Sequence, residues 1–590
     1  MSVATPAKHS DQLVEWLVEL GYTHCFFVAG GNIMHLLDSA RTRLKCIPVV
    51  HEVAAGIAVE YFNQISKTEK SFALVTAGPG LTNIVTAISG AWLEHRDLLV
   101  IGGQVKSEDL MTGNLRQRGI QEIDGVSIVK SICKVAEQIK SPISAERFKS
   151  LVSTGFSGRK GPVFLEVCLD TQGSAPISNP DKPETFKETT YKPTDSQIDL
   201  LMSVIANAKR PAILIGAGVE REKAWNLRTK IENVALPILT TWHGADRISS
   251  RSMNYCGRPE TWGQRASNLI LNQADVLIVL GARLGFQETG FNWQEFAHNA
   301  YVVQVDIDAA EISKGHPKID LPILGDANQI IEKIIEAPFA SNKDWLDYCL
   351  AIREALPLND VNNETRPGFI SPYAFYQDVS SFSSEDDIWV PASSGGANSV
   401  AIQALEQWGD QKVVCDNGLA SMGYGLSGAI GAAFAAPNNR VWLIEGDGGF
   451  SQNVQELATA AVNNLNIKIF IFSNEGYGSI RSTQKNYFGG AYLGCDTNTG
   501  LGFPDWETLA SAYKIPFILY TDRGFEDKQL VDHLESNGPI FVIVPIDPEQ
   551  TYWPKITSQV TASGSMSSNP LHRMSPDLSP ELSLKVGRYL

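Results

Sequence analysis

The sequence predicts an α/β protein of three domains, each built on a doubly wound parallel sheet. Two observations carry that expectation. Short apolar, β-branched runs ending in glycine or an acidic residue recur along all 590 residues, each followed by a longer amphipathic stretch. Strands that are apolar on both faces belong to parallel sheets covered by helices on either side. In addition, two segments rich in Pro, Ser, Thr and charge, 171–195 and 356–372, cut the chain into blocks of ordinary domain size.

The first block (1–180) holds the runs HCFFVAG, SFALVTAG and DLLVIGG. The second (190–355) holds PAILIGAG, DVLIVLGA and VVQVDID, and the third (370–560) holds VWLIEGDG, IKIFIFSN and IFVIVPID. Ligands are expected beyond the carboxyl ends of these strands. SQNVQELATAAVNN, 451–464, reads as a helix joining two strands of the third block. A polar, Pro-rich tail (561–590) with Leu571, His572 and Met574 grouped reads as a lid or a frayed terminus.

A formal net charge of -16 without a dense Lys/Arg run argues against a nucleic-acid surface. No apolar run is long enough for a membrane span, and the first residues lack a signal-peptide core. The eight cysteines show no CxxC spacing and read as small core residues of a cytoplasmic protein.

The strand VWLIE leads into Gly446, Asp447, Gly448 and Gly449, and the next strand ends in Asn474. In a right-handed β-α-β unit Asp447 and Asn474 stand at one sheet edge. A carboxylate with an amide oxygen suits Mg2+, which takes few protein oxygens and completes its octahedron with phosphate and water. The three glycines would admit a diphosphate to the backbone and to the following helix N-terminus. Gly423, Gly425 and Gly428 spell GxGxxG after the run KVVCD, formally a dinucleotide fingerprint.

This Mg-diphosphate pattern resembles that of thiamine diphosphate enzymes, and the likeness covers nearly the whole chain. VVHEVAAGIAVEYF resembles the segment with the family's catalytic glutamate, Glu52 matching, and TAGPGLTN resembles its pyrimidine-side loop at Gly78, Pro79, Gly80 and Asn83. ASMGYGLSGAIGAA resembles the thiazolium-side segment, with Met422 beneath the cofactor; Gly396 is assigned to the same cofactor, and GxGxxG to the thiamine site. The resemblance implies Asp447, Asn474 and the Gly476 carbonyl as Mg2+ ligands and Gln121 as an active-site glutamine. It also implies Glu52 as partner of the cofactor's aminopyrimidine, a role that suits a carboxyl group sheltered from water.

AKRPAILIGAG with Gly216 and Gly218, GARLG with Gly281 and Arg283, VDIDAAEI with Asp306 and Asp308, and LGDA with Asp326 resemble the flavin-binding central domain of acetohydroxyacid synthases. FAD, with no redox role, is implied. The three domains then read as pyrimidine-binding, central flavin-binding Rossmann-like and diphosphate-binding, and the cofactor's place between subunits implies a homodimer or homotetramer.

Two positions depart from the acetohydroxyacid synthase pattern. Gln287 replaces an arginine that grips the second keto acid, and Thr483 a tryptophan that selects the acceptor. A neutral amide holds a carboxylate less well than a bidentate guanidinium. With a resemblance to carboligases that build branched-chain sugars such as yersiniose, this gives the expectation of a pyruvate-decarboxylating carboligase. Its acceptor would be a nucleotide-linked keto sugar, a CDP-4-keto-3,6-dideoxyhexose, with Arg481 and Lys485 meeting the phosphate. Acetolactate synthesis is the alternative, and a catalytically silent cofactor-binding regulatory protein the non-enzyme one.

Overall fold

Residues 7–177, 191–337, 339, 342–560 and 564–590 are described by a computed structural model. The first sheet contains β1 (Tyr22–Phe27), β2 (Lys45–Pro48), β3 (Lys70–Val75), β4 (Leu99–Gln104), β5 (Val135–Ile139) and β6 (Val163–Cys168), in the order β2-β1-β3-β4-β6-β5. The second contains β7 (Pro211–Ile215), β8 (Ile238–Thr240), β9 (Val276–Leu280), β10 (Tyr301–Asp306) and β11 (Leu321–Leu324), in the order β11-β10-β9-β7-β8. The third contains β12 (Ile388–Pro391), β13 (Lys412–Val413), β14 (Val441–Gly446), β15 (Ile467–Ser473), β16 (Phe517–Leu519) and β17 (Ile540–Pro545), in the order β13-β12-β14-β15-β17-β16. Every pairing within the three sheets is parallel. The apolar runs of the sequence form their central strands, buried almost throughout because helices cover both faces.

The first linker begins inside the short helix Leu169–Gly173, its residues 178–190 lie outside the described residues, and a capping box at Thr194 opens the helix Asp195–Asn207. The second linker lies between the helices Lys343–Ala355 and Pro372–Phe382.

The expected continuous helix over 451–464 is broken. A helical turn at Asp447–Phe450 passes into a 3-10 segment, Ser451–Glu456, before α-helix resumes at Leu457–Val462. The break sits at Asn453, whose φ of -133° is non-helical. Its amide donates to the Gly423 carbonyl at 2.7 Å, and that contact outweighs local helix propensity.

The first and third domains share one core. The helix Glu52–Ile65 lies against the helix Tyr424–Ala435, and the approach is so close that glycine is required. A Cβ at Gly428 would stand 2.7 Å from the Tyr61 ring, and one at Gly431 would stand 2.0 Å from the Ala58 carbonyl oxygen. Within the GxGxxG pattern only Gly428 serves this helix contact; Gly423 (φ +85°) caps the helix beside Asn453, and Gly425 faces the Glu445 carboxyl group. Beside it, the buried Arg96 donates to Glu60 and to the Cys415 carbonyl, both at 2.6 Å.

The tail docks on the central domain: Leu571 and Val586 join its core, and Asn268 lies 3.3 Å from the Met574 sulfur. Residues 561–563 lie outside the described residues. Among the described residues no helix is long and apolar enough to cross a membrane. All eight cysteines are free thiols, and all but Cys46 are buried.

Candidate active site

β14 and β15 are neighbours, with Gly446 in register with Phe472, so their ends bring Asp447 and Asn474 to one edge. Asp447 is 1% exposed. Its Oδ2 accepts from the backbone N–H groups of Asn474 (3.0 Å) and Glu475 (2.9 Å), and its Oδ1 from that of Gly448 (2.7 Å). Burial pushes its carboxyl up to about 6, against the pull of those donors. Beside it, Asn474 Oδ1 is buried without a hydrogen-bond partner. An unpartnered amide oxygen next to a buried carboxylate is a donor set for a hard divalent cation, and Mg2+ fits it. No group of three His, Cys, Asp or Glu side chains forms a rival metal site among the described residues.

The turn after Asn474 is held from behind. Glu475 has a φ of +60°, and a Cβ at Gly476 would lie 2.1 Å from the Cys495 carbonyl oxygen, so only glycine fits. Arg481, 6% exposed, donates to the Asn474 carbonyl and to the Pro548 carbonyl, both at 3.2 Å. This corrects the expectation for Arg481: its guanidinium supports the metal turn and is not free for a nucleotide phosphate. Lys485 pairs with Glu549 at the surface.

The glycines around Asp447 divide by role. A Cβ at Gly448 would meet the Tyr477 ring at 2.3 Å, and one at Gly449 would meet Ser393 Oγ at 1.9 Å; both serve close packing. Gly446 has more room, with Ser393 at 3.8 Å. The loop after β12 faces the same edge: Ser394 Oγ lies 2.8 Å from Ser479 Oγ, Gly395 takes a φ of +58°, and Gly396 lies beneath Tyr552. Ser393, Ser394 and Ser479 were missed by sequence reasoning. The signal for Ser393 and Ser394 is the Ser/Gly loop PASSGGANS between a strand and a helix; Ser479, in the first turn of the helix Gly478–Phe488, carried none.

On the pyrimidine side, Glu52 opens its helix, is 8% exposed, and accepts from Asn83 Nδ2 at 2.9 Å. Gly78 (φ +66°) and Pro79 start the helix Pro79–Leu93, and Gly80 packs on Thr76 and Val75. A Cβ at Gly78 would lie 2.4 Å from the Gln121 carbonyl oxygen, so the structure brings the Gln121 loop against the Gly78 turn. Glu456, also unforeseen, accepts from the N–H groups of Val50 (3.1 Å) and His51 (3.0 Å), which ties the segment after Asp447 to the entry of the Glu52 helix. Met422 is 40% exposed, with its sulfur 3.7 Å from Gln452 Nε2.

A second cleft of about 490 Å³ lies between the first and central domains, with Gly218, Gly281, Arg283, Asp306 and Asp326 in its lining. Gly216 holds the adjoining loops together, since a Cβ there would lie 2.3 Å from the Gly281 carbonyl oxygen. Arg283 is anchored on the Leu93 carbonyl at 3.0 Å, and burial pushes the Asp306 carboxyl up to about 6. Cations for a diphosphate and an acid for hydroxyl groups fit a flavin dinucleotide. Asp308 is not among the lining residues: it caps the helix Ala309–Ser313 and pairs with Arg159, which itself lines the cleft.

Comparison with known proteins matches three successive families of domain: thiamine pyrophosphate enzyme, N-terminal TPP binding domain, over residues 7–128; central domain, over 198–334; and C-terminal TPP binding domain, over 394–544. Similar proteins include the acetolactate synthase large subunit of Corynebacterium glutamicum, 28% identical over 92% of this chain and 88% of that protein. The probable acetolactate synthase large subunit of Methanococcus aeolicus is 30% identical over 89% of each chain. The acetolactate synthase isozyme 2 large subunit of Escherichia coli (strain K12) is 28% identical over 92% of this chain and 97% of that protein. These relatives overturn the expectation of a branched-chain-sugar carboligase acting on a CDP-linked keto sugar. That expectation leaned on Gln287 and Thr483, yet both are engaged on the protein itself, Gln287 with the Asn417 carbonyl at 3.4 Å and Thr483 with the Ser479 carbonyl at 3.0 Å. From its three matched domains and relatives along nearly its full length, the chain belongs to the thiamine pyrophosphate enzyme family, as an acetolactate synthase-like member.

Proposed function

We propose that the protein is an acetolactate synthase, decarboxylating pyruvate and joining the two-carbon unit to a second pyruvate. The observation that carries this reading is the pair of half-sites: Glu52 oriented by Asn83, and Asp447 beside the unpartnered Asn474 Oδ1. Thiamine diphosphate with Mg2+ supplies the electron sink for decarboxylation. FAD is the third cofactor, held in the second cleft without a redox role.

The chain's residues have separate tasks. Asp447, Asn474 and the Gly476 carbonyl would hold Mg2+, while Ser394, Ser479 and the loop at Gly395 and Gly396 would meet the diphosphate. Asn83 fixes one oxygen of Glu52, leaving the other to hold and release a proton at the pyrimidine ring. Gln121 lies against the Gly78 turn, where it would meet substrate. The exposed apolar side chains Val50 and Ile120 flank this half-site. They support a catalytic homodimer, or a tetramer of such dimers, in which a second copy covers the edge.

The test is pyruvate turnover by protein loaded with thiamine diphosphate, Mg2+ and FAD. Acetolactate should accumulate, and Glu52→Gln should lower the rate about 100-fold or more while the protein still folds. Pyruvate left unconsumed would overturn the reading.

A further inference from the structure

Adjoining the second cleft, with which it shares Arg221 and Arg247 as walls, a third of about 410 Å³ opens where the central and C-terminal domains meet. Its walls are the helix Arg221–Asn233, the segment 246–251 and the loop 408–412. Two arginine–tryptophan pairs face it: Arg228 lies 3.9 Å over the Trp225 ring, and Arg251 lies 4.4 Å over the Trp408 ring. Among the described residues neither guanidinium has an ion pair or a hydrogen-bond acceptor. A guanidinium over an indole keeps its N–H donors available for an anion and offers a flat surface to another ring.

The floor is rich in positive charge. Asp246, 1% exposed as a side chain, is shared by Arg221 and Arg247. Counting the lining, Arg221, Arg228, Arg247, Arg251 and Lys412 face Glu232, Asp246 and Asp410, five cations against three carboxylates in a chain of net charge -16. Burial, with Arg221 nearby, pushes the Arg247 guanidinium down to about 10 even though Asp246 opposes the shift. A bound anion would relieve that local excess.

We propose that this cleft binds a nucleotide-sized organic phosphate, its phosphate taken by Arg228 and Arg251 and its base stacked on the arginine–tryptophan pairs. The volume lies in the range of small-molecule sites. The cleft is also mechanically connected: Val413 of β13 donates to Asp246 at 2.8 Å and accepts from Arg221 at 2.9 Å. A ligand here therefore bears on the edge of the sheet that carries Asp447.

ADP is the probe, titrated calorimetrically into protein already saturated with thiamine diphosphate, Mg2+ and FAD so that those sites are closed to it. One ADP per chain should bind, with adenosine about 10-fold weaker or worse. The double variant Arg228→Gln/Arg251→Gln should weaken ADP about 10-fold or more, with melting temperature and flavin content unchanged. Absence of ADP binding, adenosine binding as tightly as ADP, or unchanged affinity in the variant would each overturn the proposal. Hydrogen exchange on the unaltered protein gives an answer that does not depend on the variant's folding. ADP should protect 225–232, 246–251 and 408–412, and protection confined to other segments would overturn the site.

Discussion

Asn474 Oδ1 shows how a metal site is written into a fold before any metal arrives. A buried acceptor without a partner costs about 1–3 kcal/mol, a penalty that a bound cation removes. Asn474→Ala should therefore leave the Mg2+-free protein equally or more stable to heat, while raising the Mg2+ concentration for half-maximal activation about 10-fold or more. A variant less stable without metal and unchanged in Mg2+ demand would refute this role. Glu445, one strand residue from the site, makes a pH prediction. Burial pushes its carboxyl up to about 8 from an ordinary 4.5, and its Oε2 has no partner. The folded state thus holds the proton more tightly than the unfolded chain. Its stabilising contribution is complete below about pH 4.5 and is lost as pH rises to about 8. Glu445→Gln keeps the shape without the charge, so its stability advantage in urea should grow between those limits to a few kcal/mol, on the order set by the shift. That Asp447 and Asn474 stand at one sheet edge was legible because strand ends and spacing locate them, whereas Glu52 was singled out only by the resemblance of its segment to thiamine diphosphate enzymes. What the sequence did not show is that Asp308 pairs with Arg159, because that contact joins the central domain to the first and depends on the fold.

At the scale of elements, the strands were legible because apolar runs of that length have few other destinations. The break at Asn453 was not, because it depends on a carbonyl thirty residues earlier in the chain. The glycine-spaced helix Tyr424–Ala435 poses a test in which two effects have opposite sign. Replacing glycine by alanine inside a helix gains about 1 kcal/mol of propensity. At Gly431, however, the added Cβ would stand 2.0 Å from the Ala58 carbonyl oxygen, which is backbone and cannot swing aside. Overpacking of that kind costs about 1–3 kcal/mol or more, so Gly431→Ala should lower the urea midpoint overall. An increase would show that the two helices can separate at little cost.

For the whole molecule, the sequence suggested three domains divided by linkers, and the division along the chain hides how the outer two are joined. Their apolar side chains form one cluster, in which Phe26, Ala58 and Tyr61 lie with Tyr424, Ile430 and Leu443. Nothing in local pattern announces this, since each helix simply reads as apolar. Arg96 is the charged element of the joint: 6% exposed, it bridges Glu60 of the first domain and the Cys415 carbonyl of the third. The neighbouring Tyr424 hydroxyl donates to the other oxygen of Glu60 at 3.3 Å. Arg96→Met removes the cation and leaves Glu60 in a site where burial already pushes its carboxyl up to about 8. Breaking a buried pair from one side costs about 3–5 kcal/mol. If the outer domains are one cooperative unit, that loss should appear in both. Hydrogen exchange at β3 and at β14 should accelerate by the same factor in Arg96→Met, while β7 and β9 of the central sheet change less. Faster exchange confined to β3 would mean that the first domain opens alone and that the shared cluster does not couple the two.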